Sequence, residues 1–335
     1  MRTVFFGHRL IAASVLEALP GRGFELAGVV THDPGAHPRD GEWFAAAARI
    51  AAANGAPLFQ PAALSGSPEF QRIALLGADL WVVVGYLELL TAEMLALPRL
   101  GAINFHAALL PRYRGRAPLS RALMNGEKRV GATVHFIDPG MDSGDIVLQV
   151  ARDVSREDTV ATLYDWAMSV CPSLVLDAAR AIADGSAARR PQLADEALAF
   201  AELTGRDRLI HWEWPATRIY DQVRALVHPW PGALTHYRGD ELLVWGARPP
   251  ERGKTRPGAD PGRILETSGT GGVLVATGEG EIRLTEVERV GKPGRLLAGE
   301  VFRRPGVRLG LDLEGRLRKL EERLAELERP SGPSR

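Results

Sequence analysis

The run of five apolar residues at positions 80–84, LWVVV, constrains the fold more than any other part of the sequence. A strand without a polar side chain on either face is typical of a parallel sheet that helices cover on both sides. Short β-branched or aromatic runs lie before and after it, and Ala-rich helical patterns separate several of them. The predicted strands cover 3–7, 26–32, 56–61, 79–86, 101–107, 132–137 and 145–152, and the predicted helices cover 43–54, 68–76 and 119–125. This alternation predicts an α/β domain with a doubly wound, mainly parallel, Rossmann-like sheet.

The pattern changes after this domain. A long apolar helix is predicted over 159–182, and the polar stretch 184–192 is interpreted as a surface connection. Further on, one helix over 216–226 precedes short strands that Gly and Pro residues separate. Short strands at such spacing predict a small all-β domain. We therefore expect a first domain over 1–192 and a second domain over 205–308.

Leucines near the end of the chain recur at heptad spacing, which predicts a short amphipathic helix over 311–329. They are Leu313, Leu317, Leu320, Leu324 and Leu327, with Arg and Glu residues between them. An isolated helix of this length is only marginally stable in water, so its apolar stripe must be buried. Two interpretations stay open: a coiled-coil contact that makes a homodimer, or packing of the helix on the chain's own body.

Composition argues against several classes of protein. The chain has 41 basic and 41 acidic residues, so no overall positive field would draw it to nucleic acid or to an anionic membrane. No stretch reaches the ~18 consecutive apolar residues of a membrane span. His8 and Arg9 interrupt the N-terminal apolar run, which we interpret as a strand and a helix instead of a signal peptide. The single cysteine, Cys171, excludes an internal disulfide and a cysteine-based zinc site. We expect a soluble, cytoplasmic protein without a metal.

Three residues near the ends of predicted strands form a candidate site. Asn104 and His106 lie two residues apart in one predicted strand, so their side chains point to the same face of the sheet. Asp142 lies in a loop between two further strands, where Gly140 and Gly144 permit a sharp turn. Ligands of open parallel sheets bind at the carboxyl ends of the strands. Such a group of side chains is suited to acyl transfer. The amide can donate to an oxyanion, the imidazole can move protons, and the carboxylate can orient the imidazole. No GxGxxG pattern follows the first strand, which argues against a nicotinamide-dependent dehydrogenase.

Three ordered motifs within residues 101–149 point to a known family. They are Asn104-Phe105-His106, then Leu109-Leu110-Pro111-Arg112-Tyr113-Arg114-Gly115, then Gly140-Met141-Asp142-Ser143-Gly144-Asp145. In this order the block resembles the folate-dependent formyltransferases. The string WPATRIYDQVRALVHPWPGA at 214–233 resembles that family's C-terminal domain, a small barrel similar to an OB-fold. One departure is Ala108, where the family usually has Ser, and it bears on any loop contact that the hydroxyl would make.

The resemblance implies 10-formyltetrahydrofolate as the formyl donor and a primary amine as the acceptor. The amine would attack the formyl carbon while Asn104 and His106 stabilise the tetrahedral oxyanion, and Asp142 would tune His106 or relay the amine proton. The resemblance also implies a donor site, held mostly by backbone groups, with core packing as the alternative for Tyr86, Leu89 and Leu90. Its residues are Tyr86, Leu87, Leu89, Leu110, Asp138, Gly140 and Met141. His135 is interpreted as a strand residue near the site.

The resemblance leaves the acceptor open, and a nucleotide-linked amino sugar ranks first. Residues 31–61 and the string YRGRAPL at 113–119 resemble the UDP-4-amino-4-deoxy-L-arabinose formyltransferases. In such enzymes arginines bind a nucleotide diphosphate, to which a planar guanidinium is suited. The resemblance therefore implies Arg114, Arg116 and Arg206 as acceptor-binding candidates.

Two other acceptor classes compete with the sugar. Residues 201–212 resemble the methionyl-tRNA formyltransferases, but residues 201–310 hold 17 basic and 14 acidic residues, a net charge of only +3 for a tRNA surface. An amino acid such as a hydroxyornithine has no diphosphate, so an enzyme acting on it would need no diphosphate-binding residues. That class fits the shortening of the sugar enzymes' Gly-Arg-Arg-Thr-Pro-Asp-Asp string to Gly205-Arg206-Asp207. Outside the transferases, a 10-formyltetrahydrofolate hydrolase is the alternative.

Overall fold

The computed structural model describes residues 1–310 except 9, 33–39, 250, 252–255 and 257, together with residues 320, 323 and 324. The chain divides into two compact units, Met1–Leu203 and Thr204–Arg335. Most of the predicted helix over 311–329 lies outside the described residues. Within it Leu320, Arg323 and Leu324 are helical and exposed. The choice between a homodimer contact and packing on the chain's own body therefore stays a prediction.

The first unit contains a large sheet and a small strand pair. Its strands are β1 (Arg2–Gly7), β2 (Glu25–Val30), β3 (Leu58–Phe59), β4 (Leu80–Val84), β5 (Ala102–His106), β6 (Arg114–Gly115), β7 (Arg129–Phe136), β8 (Ile146–Asp153) and β9 (Ala199–Phe200). The sheet has the order β3-β2-β1-β4-β5-β7-β8, and β6 pairs with β9. Strands β1 to β5 of the sheet are parallel, whereas β5–β7 and β7–β8 are antiparallel. The predicted doubly wound, mainly parallel sheet is confirmed.

Helices cover this sheet. They are α1 (Leu10–Ala18), α2 (Asp40–Ala53), α3 (Pro68–Ala74), α4 (Ala92–Leu95), α5 (Pro118–Met124) and α6 (Val160–Ala183). Helix α6 begins at a reciprocal capping box between Thr159 and Thr162, which satisfies two backbone donors of its first turn. By length and apolarity α6 could cross a membrane. It packs instead against α1, β7 and β8, with Leu163 and Cys171 fully buried, so we interpret it as a core helix of this unit.

The central strand β4 is buried on both faces, as its apolar sequence predicts. Trp81 in this strand packs on Phe6 of β1, with ring centroids 4.7 Å apart, and both side chains are within 1% of complete burial. Truncating a side chain of this size in a core costs about 3–5 kcal/mol. The sheet thus provides a rigid base for the loops at the carboxyl ends of its parallel strands.

The second unit is built on an antiparallel sheet. Its elements are α7 (Gly205–Arg208), α8 (Ala216–Arg224), β10 (Ala233–Tyr237), β11 (Asp240–Arg248), β12 (Ile264–Ser268), β13 (Gly272–Ala276), β14 (Glu281–Arg289), β15 (Lys292–Leu297) and α9 (Ala298–Val301). The strand order is β10-β11-β14-β13-β12, and β15 also pairs with β14. The predicted all-β second domain is confirmed, while its likeness to an OB-fold stays a prediction.

Gly144 lets the loop between β7 and β8 lie close against the end of β7. A Cβ atom added at this position would overlap the carbonyl oxygen of Phe136 and lie 2.8 Å from its carbonyl carbon. Both obstacles are backbone atoms of β7, so a rotamer change cannot relieve the overlap. Position 144 must therefore be occupied by a residue without a side chain.

We expect Gly144→Ala to lower the free energy of unfolding by about 1–3 kcal/mol or more, because the new methyl group forces the loop away from β7. Gly205→Ala is the matched control, since a Cβ atom at Gly205 meets nothing within 4 Å. Urea unfolding of both variants measures the difference. Equal stability of the two variants would contradict the proposed backbone clash.

Candidate active site

Strands β5 and β7 place three polar side chains on one face of the sheet. Asn104 and His106 lie two residues apart at the carboxyl end of β5, and His135 is directly opposite Asn104 in the antiparallel pair. Residues two apart in a strand, and residues directly opposite across a pair, point to the same side of a sheet. The Nδ2 atom of Asn104 accordingly lies 3.2 Å from Nε2 of His135.

The carboxylate of Asp142 lies at the centre of this group. Its Oδ2 accepts a hydrogen bond of 2.8 Å from the backbone N–H of Gly115, and its Oδ1 accepts one of 3.3 Å from Nδ2 of Asn104. His106 Nδ1 and His135 Nε2 each lie 3.5 Å from a carboxylate oxygen. Asp142 has a φ of +50°, a left-handed conformation that Asp tolerates better than most residues. The loop between β7 and β8 thus delivers one carboxylate to four partners.

Backbone carbonyl groups determine which ring nitrogen of each histidine carries hydrogen. His106 Nε2 is 2.8 Å from the carbonyl oxygen of Tyr113, and His135 Nδ1 is 2.7 Å from that of Phe136. A carbonyl oxygen can only accept, so these two nitrogens donate. The opposite nitrogens face Asp142: in a neutral ring they carry a lone pair, and in a protonated ring they donate to the carboxylate. A proton that enters the site is therefore received between a histidine and the carboxylate.

Asp142 remains ionised in these surroundings. Burial by itself raises the pKa of this carboxyl group, but His106, His135 and the N–H of Gly115 outweigh it and hold the pKa well below its usual range. The side chain of Asp142 is only 16% exposed. The site therefore contains a largely buried negative charge at neutral pH.

Two of the loops predicted to hold the donor expose large apolar side chains. Leu87 and Leu89, which follow β4, are 39% and 64% exposed, and Met141 beside Asp142 is 47% exposed. Tyr86 is half-buried, and the ring of His32 stacks on it with centroids 4.2 Å apart. His32 Nε2 also accepts a hydrogen bond of 3.0 Å from the N–H of Leu87. The first of these loops is thus anchored from the end of β2.

The other predicted donor residues are structural parts of the same region. Asp138 accepts hydrogen bonds from the N–H of Gly140 at 3.1 Å and from the hydroxyl of Ser143 at 2.6 Å, which holds the loop in its bend. Leu110 is buried, and its carbonyl oxygen accepts a bond of 3.0 Å from Gln149. Ala108, which stands where the family usually has Ser, is buried, and its carbonyl oxygen accepts from Thr133 Oγ1 at 2.6 Å.

The three arginines predicted to bind the acceptor lie in different surroundings. Arg114 donates through Nε and Nη2 to the side-chain oxygen of Gln192, at 3.0 and 2.8 Å. Arg116 donates to the carbonyl oxygen of Leu87 at 3.4 Å, next to the predicted donor loop. Arg206 lies in α7 of the second unit and is exposed. The structure therefore brings Arg114 and Arg116 to the loops around Asp142 within the first unit.

His135 lies on a strand near the site, as expected, but sequence reasoning did not foresee its contact with Asp142 or the position of Gln192. The role of His135 depends on the antiparallel register of β5 and β7, whereas the sequence pattern indicated only that both segments are strands. Gln192 lies in a polar stretch that we expected to be a surface connection, and its half-buried side chain turns towards the loop of Asp142. The pattern of hydrophobic residues carries no signal for a polar side chain that folds back in this way.

Among the described residues, no group of three or more His, Cys, Asp or Glu side chains is arranged to hold a metal ion. An amide and two imidazoles on neighbouring strands of a Rossmann-like sheet, together with a single carboxylate from the loop after the second strand, define a site suited to transfer of an acyl group.

Comparison with known proteins gives the family. Residues 1–178 match the formyl transferase family and residues 202–296 match its C-terminal domain. The methionyl-tRNA formyltransferase of Symbiobacterium thermophilum is 36% identical over 311 residues, which are 92% of this chain and 94% of that protein. The enzyme of the same name from Moorella thermoacetica is 38% identical over 297 residues, 87% of this chain and 93% of its own. The chain belongs to the formyl transferase family, as its motifs predict.

Solved structures share the fold at low identity. WlaRD, a sugar 3N-formyl transferase crystallised with dTDP and 5-N-formyl-THF, has a TM-score of 0.64 at 15% identity and covers 88% of this chain and 99% of its own. An N-formyltransferase from Helicobacter canadensis, in complex with folinic acid and dTDP-3-aminofucose, has a TM-score of 0.64 at 16% identity, with coverages of 84% and 98%. HypX from Aquifex aeolicus, in complex with tetrahydrofolic acid, has a TM-score of 0.60 at 20% identity and covers 90% of this chain and 47% of its own. These likenesses confirm the predicted fold.

The lowered pKa of Asp142 predicts a dependence of stability on pH. The folded chain keeps this carboxylate ionised below the ordinary pKa of 3.8, at which the unfolded chain takes up a proton. The ionised group thus stabilises the fold above about pH 4 and loses this contribution as the pH falls further. The stability advantage of the wild type over Asp142→Asn should shrink as the pH is lowered from about 6 to about 3.

Melting temperatures across this pH range measure the effect. Removing the same charge at the exposed residue Asp195 controls for the change in net charge. An advantage over Asp142→Asn that is constant or grows as the pH falls would show that the pKa of Asp142 is not lowered.

Proposed function

We propose that this formyltransferase moves a formyl group from 10-formyltetrahydrofolate to the primary amine of a small molecule, and that Asn104, His106 and Asp142 carry the chemistry. The observation that carries the proposal is the convergence of the Asn104 amide and two imidazoles on the ionised, mostly buried Asp142 carboxylate. Membership of the family supplies the formyl group as the acyl group transferred.

The loops around residues 86–89 and 138–141 are suited to a folate. Leu87, Leu89 and Met141 offer exposed apolar surface for the aromatic parts of the donor. Residues 115 and 116 lie between the two loops: a Cβ atom at Gly115 would be 3.1 Å from the sulfur of Met141, and Arg116 donates to the carbonyl of Leu87. Solved structures with this fold contain 5-N-formyl-THF, folinic acid or tetrahydrofolic acid, which supports a folate donor here.

The reaction needs one bond formed, one broken and one proton moved. The lone pair of the acceptor amine attacks the formyl carbon, and the carbonyl electron pair moves to oxygen. Collapse of the tetrahedral intermediate breaks the bond from the formyl carbon to N10, and N10 leaves with a proton. The products are the N-formyl compound and tetrahydrofolate, so the proton lost by the amine balances the one gained by N10.

Asn104 would donate a hydrogen bond to the oxyanion, and His106 would stabilise its negative charge once the ring has taken up the amine proton. Both hydrogen bonds from Asn104 Nδ2, at 3.2 and 3.3 Å, are long for their type, so one amide hydrogen can turn to a formyl oxygen at small cost. The pair of His106 and Asp142 would receive the amine proton, because the ring nitrogen with the lone pair faces the carboxylate. His135 and Asp142 would form a second pair that can receive the proton, since Nε2 of His135 faces the other carboxylate oxygen.

The charges of the second unit favour a small acceptor, and we propose a nucleotide-linked amino sugar. Among the residues of this unit that the structure describes, seven arginines form ion pairs with Asp or Glu side chains: Arg224, Arg256, Arg263, Arg283, Arg289, Arg295 and Arg308. Each pairing reduces the positive charge available to a phosphate backbone, which dominates the affinity of proteins for nucleic acids. Arg116, beside the donor loop, is the candidate for the diphosphate of the acceptor.

Methionyl-tRNA is the second candidate acceptor. Its support is the 36–38% identity, over about nine-tenths of the chain, to methionyl-tRNA formyltransferases. A hydroxyornithine-like amino acid and hydrolysis of the donor remain as further outcomes of the test. Location in the cytoplasm stays a prediction.

We expect Asn104→Ala and His106→Ala each to lower kcat about 10²- to 10³-fold, because each removes a group that stabilises charge in the transition state. Asn54→Ala is a matched control: Asn54 also donates from Nδ2, to the carbonyl of Ile50 at the end of α2. Release of tetrahydrofolate measures turnover. Activity of both variants within a few-fold of the wild type would show that the site lies elsewhere.

A panel of amines distinguishes the acceptor classes. We expect release of tetrahydrofolate with UDP- or dTDP-linked amino sugars, and turnover at least about tenfold slower with methionyl-tRNA or hydroxyornithine at equal concentration, which corresponds to about 1.4 kcal/mol of discrimination. Faster turnover with methionyl-tRNA would reverse the proposed order. Release of tetrahydrofolate without any amine would indicate a hydrolase.

A further inference from the structure

One side-chain amide joins the loop of Asp142 to the segment that carries Gly115. The Nε2 atom of Gln192 donates to the carbonyl oxygens of Asp142 and Gly144, at 2.9 and 2.7 Å. Its Oε1 atom accepts from Nε and Nη2 of Arg114, at 3.0 and 2.8 Å. Both amide hydrogens and both acceptor positions of this side chain are therefore used.

The backbone around Gln192 holds the same two segments. We call residues 190–200 the strap. At its start, Arg190 exchanges two backbone hydrogen bonds with Ile146, at 2.8 and 3.0 Å, on the far side of the Asp142 loop. At its end, the carbonyl oxygens of Leu198 and Phe200 accept from the N–H groups of Arg114 and Arg116, at 2.8 and 3.0 Å. The strap thus fastens the loop that carries Asp142 and the segment whose Gly115 donates to its carboxylate.

The segment around Gly115 is in direct contact with the site. The N–H of Gly115 donates to Asp142, and the carbonyl of Tyr113 holds His106 Nε2. The ring of Tyr113 stacks on Phe200 of the strap, with centroids 5.5 Å apart and planes at 11°. A Cβ atom at Gly115 would overlap the carbonyl oxygen of Phe200, so this approach depends on glycine. Movement of the strap would therefore displace partners of both His106 and Asp142.

We propose that Gln192 is a positioning residue for formyl transfer, which holds Asp142 against Gly115 and His106 in the arrangement that the reaction needs. The proposal rests on the assignment of Asp142 to the chemistry under the proposed function. Outer groups that orient the reacting ones are typically worth 10- to 100-fold when removed, and a displacement of about 1 Å can cost 10²-fold in rate.

The four hydrogen bonds of the Gln192 side chain can be removed selectively by two substitutions. Gln192→Glu keeps the size of the side chain and can still accept from Arg114, but a carboxylate cannot donate to the carbonyls of Asp142 and Gly144. Gln192→Ala removes all four bonds. If positioning of the Asp142 loop is what matters, both variants should lose activity to a similar extent.

The experiment compares kcat for tetrahydrofolate release in two backgrounds. We expect Gln192→Ala and Gln192→Glu to lower kcat about 10- to 100-fold in the wild type. In the Asp142→Asn background, the same Gln192→Ala change should cost less than about threefold, because residues that act through one another are not additive. The control is Gln222→Ala in the second unit. Gln222 also donates from Nε2 to two carbonyl oxygens, of Asp207 and Leu209, and its loss should lower the melting temperature without this pattern in kcat.

An NMR measurement tests the same proposal without relying on the low kcat of the variants. In protein labelled with ¹⁵N-glycine, the amide resonance of Gly115, which donates to Asp142, should shift in both Gln192 variants and stay in place in Gln222→Ala. Wild-type kcat in either Gln192 variant, the same loss in both backgrounds, or an unmoved Gly115 resonance would overturn the proposal. Wild-type kcat in Asp142→Asn would instead overturn the assignment of Asp142, and the role of Gln192 with it.

Discussion

A carboxylate that is largely buried must be matched by hydrogen-bond donors or positive charge, and the architecture of the first unit around Asp142 follows from this requirement. Its partners come from three places in the chain: the end of β5, the strand β7 and the backbone at Gly115. None of them is adjacent to Asp142 in sequence. The fold of residues 101–146 can be understood as the means by which these groups reach one charge.

The change from parallel to antiparallel pairing at β5 has a chemical result. In the antiparallel pair of β5 and β7, His135 lies opposite Asn104, and Thr133 lies opposite His106. A shift of the register by one residue would send the ring of His135 to the other face of the sheet. The hairpin-like return from β7 to β8 then places the Asp142 loop above the same face. The site therefore depends both on the register of β5 and β7 and on the path of the Asp142 loop. The sequence of either segment alone does not reveal it.

The sequence alone predicted the Rossmann-like sheet, the all-β second domain and the enzyme family, because apolar periodicity and short motifs are local signals. Strand β4 shows this, since five apolar residues in a row leave little alternative to a central buried strand. Pairing direction and register depend on contacts between distant segments, so the contribution of His135 could not be read from its neighbours. Gln192 is harder still, because its polar surroundings in sequence are those of an exposed connection, and only the folded chain turns it inward.

The strap also has a consequence for how this protein can be recombined with its relatives. The match to the family's first domain ends at residue 178, yet hydrogen bonds to the segment around Gly115 continue as far as Phe200. A chimera that joins a foreign C-terminal domain at a junction between these two positions would replace the backbone that runs beside Arg114–Gly115. A chimera that keeps the first domain intact therefore needs its junction after residue 200.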